Sequence, residues 1–169
     1  LDLDGRPAER VGPDGDHTAH WRRIVDDANV ALCCDLLGVM EQAHHLAVEY
    51  AKVRVQFDRP IATFQVIKHK AVDMLHAIEL TRVGTHYAAW TSDVEEPDRA
   101  EAVAMAMGFA SESANAVCAE SIQIHGGGGV CQDFPLAWMY AWNRTLRLAD
   151  GPDEVHRNAI AKVELRKHD

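Results

Sequence analysis

Three short segments of this sequence carry residues able to do chemistry. In Gln123-Ile-His-Gly-Gly-Gly-Gly129, four consecutive glycines strip every Cβ from a stretch of backbone, so that N–H groups can approach an anion closely. The competing reading is a glycine C-cap and a tight turn, since a long Ala-rich stretch precedes the run. The run is not the dinucleotide fingerprint, which requires a strand before its glycines. In Asp150-Gly-Pro152 a carboxylate stands at the mouth of a predicted helix. There it can act as an N-cap or, in a dry pocket that raises its pKa, as a general base. In Tyr50-Ala-Lys-Val-Arg-Val-Gln-Phe-Asp-Arg-Pro60, Arg54 lies near a predicted helix end, where a guanidinium suits the helix dipole. Phe57, read on its own, is a core anchor.

A rival chemistry lies in the histidines. Glu41-x-x-His44 and Asp73-x-x-His76 each place a carboxylate and an imidazole on one helical face, as in di-metal carboxylate bundles. That architecture also needs a bridging Glu from each of two further helices, and ten histidines in the chain make chance pairs common. We therefore expect no metal site. The cysteines, Cys33, Cys34, Cys118 and Cys131, contain no C-x-x-C spacing and are expected to be reduced thiols. Trp138 and Trp142, four residues apart, are expected at a bundle or subunit interface. Met74, Met105 and Met107 are expected as core fillers, and Asp93 to Glu101 as a solvated loop between helices.

The elements that must position these groups are helical. Apolar residues recur in steps of three and four from Ile24 through Leu36, Met40, Ala43 and Ala47 to Ala51, which predicts one long helix over about 18–54. Asp58-Arg-Pro60 breaks it. A second helix is predicted over 63–91, with Thr63 as N-cap and a stripe of Phe64, Ile67, Ala71, Met74/Leu75, Ile78, Arg82/Val83 and Tyr87. Further helices are predicted over about 98–124, 135–146 and 152–166. Residues 1–18 read as the end of a strand and a loop, the remnant of a preceding β domain and its linker, and residues 19–169 as one helical domain. No strand signal follows residue 18. Long helices joined by short loops make the fold class all-α, an antiparallel helix bundle.

Composition fits that picture. The 169 residues are 47% apolar and 25% charged, with a net charge of −9 that argues against nucleic acid as a partner. No apolar run is long enough for a membrane span. The chain begins without a Met or a signal-like segment, as a piece of a longer polypeptide would.

The three segments, in this order and spacing, closely resemble the C-terminal helical domain of flavin-dependent acyl-CoA dehydrogenases, over essentially the whole chain from about residue 20. The pattern Gln-x-x-Gly-Gly is matched by Gln123, Gly126 and Gly127, and Arg-x-x-Phe-Gly by Arg54 and Phe57 with Asp58 in place of the glycine. The resemblance implies that Arg54, Gln56 and Phe57 contact the FAD pyrophosphate across a subunit interface. It implies that Phe64 and Gln65 lie near the adenosine half, and that Gln123, Gly126 and Gly127 touch a flavin held mainly by a neighbouring subunit. His125, a variable position of the pattern, is left to packing or solvent.

Asp150 takes the place of the catalytic base, most often Glu in Glu-Gly-Thr, that removes the α-proton of an acyl-CoA. The stretch Leu148-Ala-Asp-Gly-Pro-Asp-Glu-Val-His156, with Gln132 to Ala137 before it, is similar to the kinase-fused branch, in which Asp is the natural residue here. Pro152 replaces a flavin-contacting Thr, and Glu154 falls near the adenine or ribose. Ala149, Gly151 and Asn29 fall at substrate positions, Asn29 where many members carry an Arg.

The implied function is α,β-dehydrogenation of an acyl-CoA thioester, with electrons passed to an electron-transfer flavoprotein. The implied assembly is a homodimer or tetramer with FAD at the interface, in a bacterial cytoplasm or a mitochondrial or peroxisomal matrix. The alternative within this reading is a non-catalytic oligomerisation unit, and the isolated chain is expected to show little or no turnover.

Overall fold

A computed structural model describes residues 5, 7, 9, 12–94, 96–149 and 151–168. The expected strand at Leu1 and Leu3 lies outside the described residues. Five helices dominate. The first, α1 (Thr18–Val53), is uninterrupted by Gly or Pro except at Gly38, and its 36 residues rise roughly 54 Å. Asp16 accepts from both the backbone N–H (2.9 Å) and the hydroxyl (2.6 Å) of Thr18, which covers the helix start and holds the Asp16 carboxyl below its usual range. Helices α2 (Gln65–Asp93), α3 (Arg99–His125), α4 (Leu136–Leu146) and α5 (Asp153–Arg166) follow.

The connection from α1 to α2 corrects the expectation of no strand after residue 18. Two short strands, β1 (Val55–Gln56) and β2 (Arg59–Pro60), pair antiparallel, Val55 opposite Pro60 and Gln56 opposite Arg59. The turn residues Phe57 (φ +53°) and Asp58 (φ +61°) are both left-handed, as the two central residues of a type I′ hairpin must be. Ile61 N–H closes the hairpin on the Arg54 carbonyl at 2.8 Å. A 3-10 turn (Ile61–Thr63) then leads into α2. Thr63 is not the N-cap of α2: its hydroxyl donates to the Pro60 carbonyl at 2.7 Å, and Phe64 holds the cap position without a side-chain bond.

Helices α1, α2 and α3 run alternately antiparallel, so α1 and α3 run parallel. Three contacts register α3 on α1: Arg99 to Asp26 (3.2 Å), Cys33 Sγ to Met107 Sδ (3.9 Å), and Ser121 Oγ donating to the Ala43 carbonyl (3.0 Å). On the other side α2 crosses back, with Arg82 paired to Glu41 at 2.7 Å and the His44 ring bonded to the Ala71 carbonyl at 3.1 Å. Helices α4 and α5 return along α3, from Phe134 against His125 to Lys167 on Glu101 at 3.1 Å. Every other helix packs on α3.

The core, with Leu36, Met40, Ile78, Met107, Val103, Val117 and Leu136 fully enclosed, fills the space between α1, α2, α3 and α4. Cys33 and Cys118 sit in it as free thiols, and burial pushes both up to about 12. The stripe expected along α2 holds at Met74 and Ile78 and fails beyond. Thr81, Thr85, Ala88 and Thr91 face inward, while Val83 and Tyr87 are exposed. Met105 is likewise exposed, on the rim of a groove of about 320 Å³ lined by Leu80, Gly84, Tyr87 and Phe109. Glu101 is not in a solvated loop but buried, in the first turn of α3.

Candidate functional site

The residues singled out from the sequence gather at two places. The first is the end of the bundle where α1 stops and α3 stops. There the Tyr50 ring, one turn before the end of α1, stacks on the His125 ring with centroids 4.3 Å apart. Phe134 closes edge-on against both rings, at 5.9 and 4.6 Å. His125 is 3% exposed, and its Nδ1–H donates to the Ser121 carbonyl at 2.8 Å. Its role is therefore packing, and the aromatic stack brings the Arg54 segment to the glycine run.

At that end Arg54 caps α1 with its guanidinium exposed, and it forms no ion pair among the described residues. Gln56 and Phe57 project on the hairpin. Phe57 is 85% exposed and touches Phe64 edge-on at 6.0 Å, so it is no core anchor. The reason is the hairpin itself: both tip residues turn away from the bundle. Asp58 stands at a left-handed position that Gly would occupy freely, and Asp is among the few side chains that tolerate it. No contact joins Asp58 to Arg59, whose guanidinium lies 4.1 Å above the Phe64 ring instead. Phe64 is half-buried, and Gln65 is exposed in the first turn of α2, beside the His69 ring at 3.3 Å.

Across the stack, α3 ends at Gly126, with φ +61° and ψ −136°, a conformation only glycine adopts readily. Gln123, Gly126 and Gly127 are exposed, and a Cβ at Gly126 or Gly127 would meet open space. Gly126–Val130 then winds as a 3-10 turn with Cys131 N–H on the Gly128 carbonyl. The bared backbone and an unpaired exposed guanidinium fit a phosphate-bearing nucleotide: the fork suits phosphate oxygens, and the glycines allow close approach. An apolar cleft of about 180 Å³ opens at the same end, between Ala47, Ala51, Ala62, Ile67 and Ile124, with Lys52 and Lys68 on its lining.

The second place is the turn from α4 to α5. Asp150 itself lies outside the described residues. Its neighbours are Ala149, half-buried against the core, and Gly151, at φ +116°. Pro152 sits at the cap position of α5, exposed, and Glu154 is exposed in the first turn. The second carboxylate of the segment, Asp153, is buried and committed. It accepts from Arg147 Nε at 2.7 Å, from a second Arg147 nitrogen, and from Ser111 Oγ at 3.3 Å. Arg147 also faces Glu112 at 3.7 Å, which in turn pairs with Arg157. Sequence reasoning missed this network; the signal was the charge at i and i+6 around a predicted turn. Asp153→Ala is expected to cost about 2–3 kcal/mol, because Arg147 and Ser111 lose a buried acceptor, and chemical denaturation will read it.

The two places are far apart on one chain. Ser111, which marks the α5 end, and His125, which marks the glycine run, are separated by roughly 21 Å of α3 at 1.5 Å per residue. Asn29 belongs to neither group of exposed residues: it is buried on the inward face of α1, and its Oδ1 has no hydrogen-bond partner. The histidine pairs do not converge. Glu41 is paired with Arg82, His44 bonds a backbone carbonyl, and among the described residues no group of three or more His, Cys, Asp or Glu is placed to hold a metal. No described helix is long and apolar enough to cross a membrane.

Comparison with known proteins gives a consistent answer. The family described as acyl-CoA dehydrogenase, C-terminal domain, matches residues 22–165. The probable acyl-CoA dehydrogenase FadE2 of Mycobacterium tuberculosis is 35% identical over 93% of this chain and 39% of its own length. Human acyl-CoA dehydrogenase family member 11 is 39% identical over 79% of this chain and 17% of its own. Among solved structures, butyryl-CoA dehydrogenase from Megasphaera elsdenii superposes with a TM-score of 0.84 at 29% identity, over 90% of this chain and 40% of that one. The chain thus spans well under half the length of the curated relatives it matches.

Proposed function

Because the chain belongs to the acyl-CoA dehydrogenase family, as its C-terminal domain, we propose that the whole protein is a FAD-dependent enzyme that oxidises an acyl-CoA thioester between its α and β carbons. The observation that carries this reading is the Tyr50–His125 stack, which joins Arg54 and the glycine run into one anion-receptive end. FAD, when bound, supplies the two-electron acceptor for the β-hydride.

The chain supplies the rest. Arg54, with Gln56 and Phe57 on the hairpin, holds the pyrophosphate. Phe64 and Gln65 serve the adenosine half, and Gln123, Gly126 and Gly127 give the nucleotide a backbone surface without side chains. Asp150 accepts the α-proton, so that a C=C bond forms as the β-hydrogen leaves with its electron pair. Ala149 and Gly151 flank the reacting carbons, Asn29 lies toward the CoA side, and Pro152 and Glu154 border the cofactor. An electron-transfer flavoprotein takes the electrons onward. The expected compartment is a bacterial cytoplasm or an organellar matrix.

The roughly 21 Å of α3 between Ser111, beside the α4–α5 turn, and His125, beside the glycine run, supports a site shared between copies, the anchor end of one chain serving the base of another. Exposed aromatics offer surfaces for such assembly as a dimer or tetramer: Trp138, stacked on Trp142 with centroids 6.1 Å apart, and Tyr87 on Trp90 at 6.0 Å.

An anaerobic titration of the whole protein with a panel of acyl-CoAs, followed in the flavin absorbance, tests the reading. Bleaching supports it and ranks the substrates; purified protein without flavin overturns it. Arg54→Gln is expected to weaken FAD retention about 30-fold, the loss of charged hydrogen bonds to phosphate, without changing the melting temperature of the apoprotein. Flavin content after dialysis measures this directly.

A further inference from the structure

The second half of α2 carries more apolar surface outside the bundle than inside it. Inward it presents Thr81, Thr85, Ala88 and Thr91, all buried. Outward, Leu80, Val83, Tyr87, Trp90 and Val94 recur in steps of three, four, three and four. That spacing is the seam by which one helix packs along another. All five are exposed, from 46% at Tyr87 to 68% at Val83, and Met105 and Phe109 on α3 extend the patch. The area these residues leave open is on the order of 700 Å², close to the ~800 Å² that each partner gives a stable interface.

The shape of the face names its occupant. Tyr87 and Trp90, stacked at 6.0 Å, form a ridge. Beside it lies the groove of about 320 Å³ between α2 and α3, with Leu80, Gly84, Met105 and Phe109 on its lining. A Cβ at Gly84 would meet nothing within 4 Å, so the glycine opens a notch in the seam where a second backbone can come close. Ridge and groove on one face are self-complementary: a two-fold axis seats each copy's ridge in the other's groove. Charge does not oppose the contact, because Arg82 beside the seam is paired with Glu79 and Glu41. Trp and Tyr are also the side chains that most often carry the binding energy of an interface.

We propose that this face of α2 and α3 binds the same face of a second copy, the two α2 helices antiparallel and crossing at Gly84. In the register of an antiparallel seam, Tyr87 of each copy meets Val83 of the other, and Trp90 meets Leu80. The proposal rests on the reading of the whole protein as an assembly and not on the chemistry of the base. It adds a surface separate from the shared flavin site, since Val83 stands roughly 27 Å along α2 from Gln65.

Sedimentation velocity of the whole protein is the test. Val83→Lys, at a position exposed in the single chain, is expected to halve the mass of the assembly and leave flavin content within about twofold. Gly84→Cys gives an independent measure. Treated with a short bis-maleimide, it is expected to join two chains into a product that the unaltered protein, with Cys34 and Cys131 exposed, does not give. An unchanged mass in Val83→Lys overturns the proposal. So does a Gly84→Cys protein that stays a single chain, the result expected if another part of the same polypeptide covers the face. An unaltered protein that sediments as one chain removes the assembly reading itself, whereas an assembly that Val83→Lys leaves intact removes only this face.

Discussion

Replacing Asp150 by Asn in the whole protein is expected to slow flavin reduction by acyl-CoA about 10³-fold, the usual worth of a positioned general base. Asn has nearly the shape of Asp and cannot accept a proton, so substrate and cofactor binding should survive while the α C–H bond stays intact. Rapid mixing under anaerobic conditions gives the rate, and perturbation of the flavin spectrum by a thioether analogue gives the binding. The structure sharpens the choice of residue. Asp153, two residues beyond Gly151, is buried and held by Arg147 and Ser111, so its oxygens are engaged within the fold. Asp153→Asn should therefore leave the rate within about tenfold and act on stability instead. A rate in Asp150→Asn close to that of the unaltered protein would remove the base assignment.

The second large effect is structural and sits in the glycine run. Four adjacent glycines are there for different reasons. A Cβ at Gly129 would stand 2.6 Å from the carbonyl oxygen of Ile122 and 2.7 Å from its Cα, both backbone atoms of α3 that cannot turn aside. Gly129→Ala is expected to cost about 3 kcal/mol, the upper range for overpacking. For a domain of this size that is a fall in melting temperature of about 6–12 °C. At Gly126 the objection is the backbone, since φ +61° with ψ −136° strains any side chain, and about 1–3 kcal/mol is expected. Gly127 has open space around its missing Cβ. Gly127→Ala should melt with the unaltered protein and show its effect only in flavin retention. Thermal scans of the three variants check the order 129, 126, 127, and a flat series would show that the turn is not packed as described.

The helices were legible because their ends carry strong punctuation. Pro60, Pro97, Gly126, Pro135 and Pro152 break or start helices for steric reasons that no packing overrides, and each observed end falls within about two residues of the expected one. The hairpin was not legible. Its turn residues, Phe57 and Asp58, are a left-handed pair without glycine, whereas the readable signal for such a turn is Asn-Gly or Asp-Gly. The second half of α2 misled for another reason. Its strongest apolar residues, Val83 and Tyr87, lie outside, and the inward positions carry Thr81, Thr85 and Thr91, of which only Thr91 bonds its hydroxyl, to the Ala88 carbonyl at 2.8 Å. A periodicity rule follows apolarity, and on this helix the apolar side is turned away from the core of the chain.

The site was legible one motif at a time and not as a layout. The glycine run read as a possible anion site, and the resemblance implied that Arg54 and Gln123 serve the same nucleotide. That Arg54 meets the glycine run through Tyr50 and His125 could not be read, because ring stacking across some seventy residues leaves no mark in spacing. Nor did the sequence tell Asp150 from Asp153 by environment. The pairing of Asp153 depends on Arg147 at the end of α4 and on Ser111 halfway along α3, positions that only the tertiary fold brings together.

The span of α3 between the two clusters has a genetic consequence. If one copy's anchor end serves another copy's base, a lesion at Arg54 acts in trans and a lesion at Asp150 acts in cis. Two inactive alleles, one damaged at each cluster, would then restore an intact site in a mixed assembly, and a carrier of both would retain function that neither allele encodes alone.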